Sequence, residues 1–265
     1  VNPADVESVS VLKDASSAAI YGARGAFGVI LVTTKNATAG KTKINYNGSF
    51  SMHQRTVKTE DGIVSNGLQW TDGWYTAYLE GQEAPPGGIN NVFKYSTDWY
   101  NELVRRDADP SLDKVRVNDK GEYEYFGNTN WLDIIYKDQN YSTEHNVSIS
   151  GGNERARYYV SGRYYNQDGI YNAGDEKYTQ YNIRSKGEIQ INKSLLLENN
   201  TDVMIFRSHQ PMVMYDRQNI TRQAQHQGYP VTMEKNPDGT WTEAAVYIGW
   251  AGFVEGTSWQ KDNKL

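Results

Sequence analysis

The sequence contains no cysteine, which excludes a disulfide framework and any thiolate metal site. No run of about 18 apolar residues occurs in it, so no helix is expected to span a bilayer. No cluster of Lys and Arg overrides the net charge of −5, which argues against a nucleic-acid footprint. Phenylalanine is scarce, at six, beside 20 tyrosines and seven tryptophans. With 38% hydrophobic residues and a mean hydropathy of −0.74, the chain is too polar for a helical membrane protein. A transmembrane barrel escapes that test, because its strands alternate lipid-facing and lumen-facing side chains and average out as polar. Its interfaces also favour amphipathic rings. On composition alone, a Tyr-rich extracellular sandwich or carbohydrate-binding module fits equally well. The chain opens Val1–Asn2–Pro3 with neither a methionine nor a leader; an exported protein would carry its signal upstream, so the chain is read as a piece of a longer one.

Residues 42–53 place Ile44, Tyr46, Gly48, Phe50 and Met52 on one face, with Lys43, Asn45, Asn47, Ser49 and Ser51 on the other. At about 3.3 Å per residue such a strand can cross a hydrocarbon layer with tilt. The same alternation predicts strands over 142–151, 155–166, 178–190 and 195–206. Their connections run long (54–141), tight (152–154), medium (167–177), tight (192–194) and long (207–265). Transmembrane barrels alternate short periplasmic turns with long extracellular loops in this way, whereas sandwiches have comparable loops at both ends. Arg184, Lys186 and Glu188 share one strand face, which needs a wet lumen opposite a greasy exterior. Five strands are fewer than the roughly eight of the smallest transmembrane barrels. The fold class is therefore mainly β, a partial transmembrane antiparallel barrel.

Ahead of these strands, residues 6–35 begin as an alternating strand (Val9, Val11), pass Asp14 and an Ala/Ser-rich helical run, break at Gly22, Gly25 and Gly28, and end in a β-branched strand over 29–34. The polar linker 36–41 follows. The wording NPADVESVSVLKDASSAAIYGARGAFGVILVTTK resembles the end of the plug domain of TonB-dependent outer-membrane transporters, in the SusC/RagA branch found in Bacteroides-like bacteria. NWLDIIY at residues 130–136 and HNVSISGGNERARYYVSGRYYNQDGIY at 145–171 resemble the first barrel hairpin of the same branch. The resemblance implies that 1–35 is the C-terminal β-α-β part of an α/β plug, 36–41 a linker, and 42–265 the first strands of a wall of about 22 strands.

Gly22, Gly25 and Gly28 follow the helix at G-x-x-G-x-x-G spacing, whereas a dinucleotide loop opens one; a helix stop and close packing explain them better. Asp14 is placed to cap the helix amides. The resemblance implies that Arg24 faces carboxylates on the barrel wall as a plug–barrel latch, which Glu7, Lys13 and Asp14 could join; a solvated loop arginine is the plain alternative. Asp107, Asp109, Ser111 and Asp113 mimic the start of a calcium loop, but Pro110 and the missing glycine at the sixth position argue against an EF-hand. No metal or other cofactor is expected. The four histidines lie in no zinc spacing. In the first long loop Trp70, Trp74, Tyr75 and Trp99 are the candidates for stacking on a sugar or gripping a peptide or partner, although packing the loop is the commoner use of such rings. Short amphipathic helices are expected over 68–78 and 96–105, and a tight turn at Asp238–Gly239.

No nucleophile–base pair or carboxylate pair stands out, so the chain is not read as an enzyme. The resemblance implies TonB-dependent import of an oligosaccharide or peptide across the bacterial outer membrane. It also implies a SusD-like surface lipoprotein as lid, and energy from the TonB–ExbB–ExbD complex acting through a segment outside this chain. The alternative is a soluble or surface-bound β-rich carbohydrate-binding module.

Overall fold

A computed structural model describes residues 2–13, 19–25, 28–56, 62–89, 93, 95–212, 220–257 and 259–264. Two strands open the chain, β1 (Val6–Leu12) and β2 (Val29–Thr34). They pair antiparallel, with Val9 opposite Val32 and Val11 opposite Ile30. Of the helix expected between them, residues 14–18 and Asp14 lie outside the described residues. The part described, Ala19–Gly25, is 3₁₀ and kinks at Gly22, whose φ of 61° suits a residue without a Cβ.

Six strands form the main sheet: β3 (Gly40–Gln54), β6 (Gln139–Gly152), β7 (Ala156–Asp168), β8 (Lys177–Asn192), β9 (Leu195–Met212) and β10 (Trp259–Lys264). They lie in the order β10-β9-β8-β7-β6-β3, and each neighbouring pair is antiparallel. Each of the five expected strands is present, and most run one to six residues beyond the ends expected from apolar alternation. β9 gains the most, because Arg207, Ser208 and His209 pair with Thr179, Tyr178 and Lys177 although none is apolar. The sheet is not closed.

Register gives the sheet two chemically distinct faces. One row runs Tyr46, Val147, Gly162, Ile183, Val203, and the next Ile44, Ile149, Val160. These side chains are exposed; Ile183 is 55% and Ile44 68% accessible. On the other face one row runs Asn47, Asn146, Arg163, Asn182 and another Asn45, Ser148, Ser161, Arg184, Asp202. Arg163 donates to Glu144 at 2.8 Å, and Arg184 lies 3.1 Å from Asp202. The charges of the polar face thus neutralise one another across neighbouring strands.

The long segments at the far end of the strands are folded. Helices α1 (Gly67–Gly81) and α2 (Thr97–Ala108) are capped by Asn66 and Ser96, whose side chains accept from the amides of Gln69 and Trp99. A small hairpin follows, β4 (Val115–Val117) with β5 (Tyr123–Tyr125), then the short helix α3 (Trp131–Ile135). After β9 come α4 (Ile220–Gln227), α5 (Glu243–Ile248) and α6 (Trp250–Glu255). The turn around Asp238 carries Gly239 at φ +83° and bridges Lys235 to Trp241.

Candidate functional site

Two regions stand at opposite ends of the polar face. The first is the seam where the N-terminal hairpin meets the sheet. Asn2 caps a short turn by accepting from the amide of Ala4 at 3.1 Å, and the turn buries Asp5 at 2% exposure. Tyr159 of β7, 4% exposed, donates its hydroxyl to Asp5 Oδ1 at 2.7 Å. One strand over, Lys186 lies opposite Tyr159 in register and donates to Asn36 Oδ1 at 2.7 Å and to Thr34 O at 3.2 Å. Lys35 closes the base of the hairpin, through its Nζ to Ala4 O at 2.7 Å and its amide to Asp5 O at 2.8 Å. A cavity of about 200 Å³ borders the seam between Asn2, Asp5, Asn146 and Tyr159. Asn2 Nδ2 and Asn146 Oδ1 are buried without a hydrogen-bond partner.

The second region is a cap made by both long loops together. One cluster gathers Ile89, Trp99, Leu103 and Phe126 of the first loop with Val231 of the second. The other packs Trp131 and Ile135 against Ile220, Ile248, Trp250 and Phe253. Main-chain bonds stitch the loops: Gly127 N to Val231 O at 2.8 Å and Thr129 N to Pro230 O at 2.9 Å. The Trp131 indole donates to Thr232 Oγ1 at 3.1 Å. A Cβ at Gly127 would stand 2.7 Å from Thr232 O, so the two backbones touch where no side chain fits. Arg55, at the end of β3, bonds Asp133 at 2.8 Å and Asp138 at 2.7 Å, and so ties α3 to the sheet.

No family model matches the chain. Among curated proteins it is 31% identical over 192 residues to TonB-dependent receptor P3 of Formosa agariphila, covering 72% of this chain and 14% of that one. It is 34% identical over 171 residues to TonB-dependent receptor SusC of Bacteroides thetaiotaomicron, covering 64% of this chain and 13% of SusC. Among solved structures, the RagAB peptide importer in its closed-closed state superposes with a TM-score of 0.56 at 26% identity, over 78% of this chain and 22% of that chain. The chain belongs to the SusC/RagA-type TonB-dependent receptors. It spans about one-seventh of the length of the curated relatives it matches. Receptors of this type are outer-membrane proteins and are not enzymes.

Of the sequence-derived plug–barrel candidates, Glu7 is exposed and within electrostatic range of Lys186. Arg24 is exposed in the 3₁₀ turn and makes no ion pair with a described residue. Asp14 lies outside the described residues. The side chains that join hairpin to wall are Asp5, Asn36, Tyr159 and Lys186, none of which sequence reasoning singled out as a contact. Asp5 and Tyr159 are 154 positions apart, and each reads alone as an ordinary polar position.

The ring candidates divide. Trp99 is 3% exposed, lies against Tyr95 at 3.9 Å between centroids, and donates its indole N–H to Tyr125 O at 3.2 Å. Trp70 packs between Phe93 and Tyr229, and Tyr75 meets Tyr100 edge-on. Trp99 is thus enclosed, whereas Trp70 and Tyr75 are half-buried against their neighbours. Trp74, 48% exposed, meets Trp70 and Phe93 at steep interplanar angles. Burial pushes the Tyr95 hydroxyl up to about 12. The acidic run does not converge either. Asp109 Oδ1 accepts from the amide and hydroxyl of Ser111, which holds its carboxyl below the usual range, and Asp107 accepts from Asn66. Among the described residues no three acidic or histidine side chains gather as metal ligands.

Proposed function

We propose that this chain supplies the plug-to-wall junction, the first wall strands and much of the extracellular cap of an outer-membrane importer. The observation that carries the reading is the two-faced sheet with the N-terminal hairpin seated on its polar side. A face of Ile, Val and Tyr suits lipid, and the opposite face of Asn, Ser and paired charges suits a wet lumen. The solute is an oligosaccharide or a peptide; the solved neighbour is a peptide importer, and the curated relatives include SusC. A SusD-like surface lipoprotein would sit over the cap. The TonB–ExbB–ExbD complex would supply the energy, since this compartment offers no ATP. Within this chain the role is mechanical: the wall holds one side of the plug and the cap frames the entrance.

The test is to purify the gene's natural product from outer membranes and follow its migration on SDS gels with and without boiling. Uptake of a fluorescent peptide and of a maltooligosaccharide is then compared between cells that carry the gene and cells that lack it. A heat-shifting band with gene-dependent uptake of either solute supports the reading. A stable product of 30.0 kDa in the soluble fraction would overturn it in favour of a β-rich binding module.

A further inference from the structure

We infer that α3 is the keystone that makes three loops of the cap one rigid body, with Arg55 and Asn172 as the positioning residues that set this body on the sheet. The inference rests on the importer reading above. In an importer it means that this part of the entrance moves as one piece, so that a solute which shifts one loop shifts all three.

A helix as short as α3, Trp131–Ile135, does not stand on its own propensity and needs tertiary contacts on every side. The second long loop supplies the first set. Trp131 and Ile135 are both buried in the cluster that holds Ile220, Ile248 and Phe253. The Trp131 indole lies 3.1 Å from Thr232 Oγ1 and 3.3 Å from Tyr229 O, and the Tyr136 hydroxyl shares a hydrogen bond with Thr221 Oγ1. At Gly228 a Cβ would stand 3.0 Å from the Trp131 ring, so this loop meets the indole where it carries no side chain.

The connection between β7 and β8, residues 169–176, supplies the second set. A helix leaves its last carbonyls without partners of its own, and here one residue takes them. Asn172 donates its main-chain amide to Ile135 O at 2.8 Å and its side-chain amide to Ile134 O at 2.8 Å, with Tyr136 O and Asp133 O at 3.1 and 3.3 Å. Lys137 N donates to Ile170 O at 2.8 Å, and Tyr171 packs against both Tyr136 and Phe253. The sheet supplies the third. A single nitrogen of Arg55, Nη2, serves Asp133 within α3 and Asp138 just before β6, while the Arg55 amide donates to Asp138 O at 2.9 Å. All of these contacts are internal to this chain, so they do not depend on what else covers the cap in the longer receptor. A body so closely packed passes a displacement on instead of absorbing it.

The test uses the receptor as the cell makes it, with its whole chain. Nitroxide labels are placed on the double variant Ala77→Cys with Val246→Cys, one site in α1 of the first loop and one in α5 of the second. Pulsed electron paramagnetic resonance reads the distance between them with and without the fluorescent peptide or the maltooligosaccharide, whichever the receptor imports. The expected result is one distance population that solute shifts by less than about 5 Å, the rise of one helical turn. In the same labelled receptor Asn172→Ala is expected to broaden that population. A larger shift, or a width that Asn172→Ala leaves unaltered, would overturn the inference and leave the importer reading standing. An unmodified receptor that imports neither probe would overturn the importer reading, and this inference with it.

A second measurement separates positioning from folding. Capture takes place at the cap, whereas the energy for import acts through a segment outside this chain. Arg55→Met is therefore expected to raise the solute concentration for half-maximal import about fivefold, with the maximal rate per receptor within about twofold. Arg55→Lys, whose Nζ can serve both Asp133 and Asp138 as Nη2 does, is expected to restore it. A half-maximal concentration unaltered by Arg55→Met, or a loss confined to the maximal rate, would overturn the assignment of Arg55.

Discussion

Trp99 and Trp74 show how two identical residues in one loop come to different uses. Both belong to the same aromatic stretch, yet Trp99 is enclosed by Tyr95, Phe126 and the main chain of Tyr125, whereas Trp74 keeps nearly half its surface in solvent. Removing a buried indole leaves a large cavity and an unpaired carbonyl, so Trp99→Ala is expected to destabilise the cap by about 3–5 kcal/mol. Trp74→Ala, which leaves its neighbours packed, should cost about 1 kcal/mol or less. Thermal unfolding followed by near-ultraviolet circular dichroism, which reports packed rings, would separate the two. Equal losses would contradict the assignment of Trp99 to the core. If Trp74 contacts solute, its substitution lowers affinity while the melt stays put.

The buried phenols of the cap set a pH dependence of definite sign. Burial lifts Tyr95 to about 12, and burial together with a hydrogen bond to Asp72 lifts Tyr100 similarly. A free tyrosine titrates near 10. Between those values the unfolded chain releases a proton that the folded cap retains, so stability falls as pH rises. Below about pH 10 both states hold the proton and the effect disappears. Tyr95 alone would account for roughly 1–3 kcal/mol lost by pH 12; Tyr100, nearer solvent, contributes less. The expected outcome is a cap melting temperature that is flat from pH 8 to 9.5 and falls from pH 10.5 to 12. Tyr95→Phe should blunt that fall.

At the scale of elements, the strands were legible in the sequence because a half-buried strand writes its two faces into alternate residues. Tyr46, Val147 and Ile183 could each be assigned to the apolar face of its own strand before any pairing was known. Strand ends were not legible. The continuation of β9 through Arg207–His209 comes from main-chain pairing with Lys177–Thr179, which carries no side-chain signature. Helices α1 and α2 were visible through their amphipathic spacing. Their union with the second loop was not, since Trp131 and Tyr229 meet 98 positions apart. The seam was hidden for the same reason.

The face assignment itself makes a prediction for single strands. Ile183 on β8 points to the apolar side, and its neighbour Asn182 points to the polar side. Arginine at a lipid-facing position near the midplane of a barrel costs about 2–4 kcal/mol, and lumen positions are far more tolerant. Ile183→Arg should therefore lower folding stability in phospholipid vesicles by that order, and Asn45→Arg, at an exposed position of the polar face, by much less. Urea titration of the receptor refolded into vesicles, read by tryptophan fluorescence, measures both. The opposite ranking would mean that the faces are inverted.

On the scale of the whole molecule, the six-stranded sheet ends in two edges, β3 and β10. An edge strand presents unpaired N–H and C=O groups to any chain that can reach it. The apolar face beside those edges runs from Ile44 and Phe50 to Val203 and Ile205, and soluble monomers rarely leave a large contiguous apolar surface open to water. The two features act together: the apolar face drives association, and the long straight edge of β3, Gly40–Gln54, gives it a register. Expressed alone in detergent-free buffer, the 265-residue chain is therefore expected to self-associate. It should elute near the void volume on gel filtration and float with phospholipid vesicles on a density gradient. Charged substitutions confined to the apolar face, such as Ile44→Lys with Val203→Lys, should reduce both behaviours, because they remove the surface that water rejects. The same substitutions on the polar face, at the exposed Asn45 and Asn47, should leave both nearly unchanged. A monodisperse monomer of the unmodified chain in plain buffer would show that the apolar face is covered in solution, and the lipid-facing assignment of these strands would fall with it.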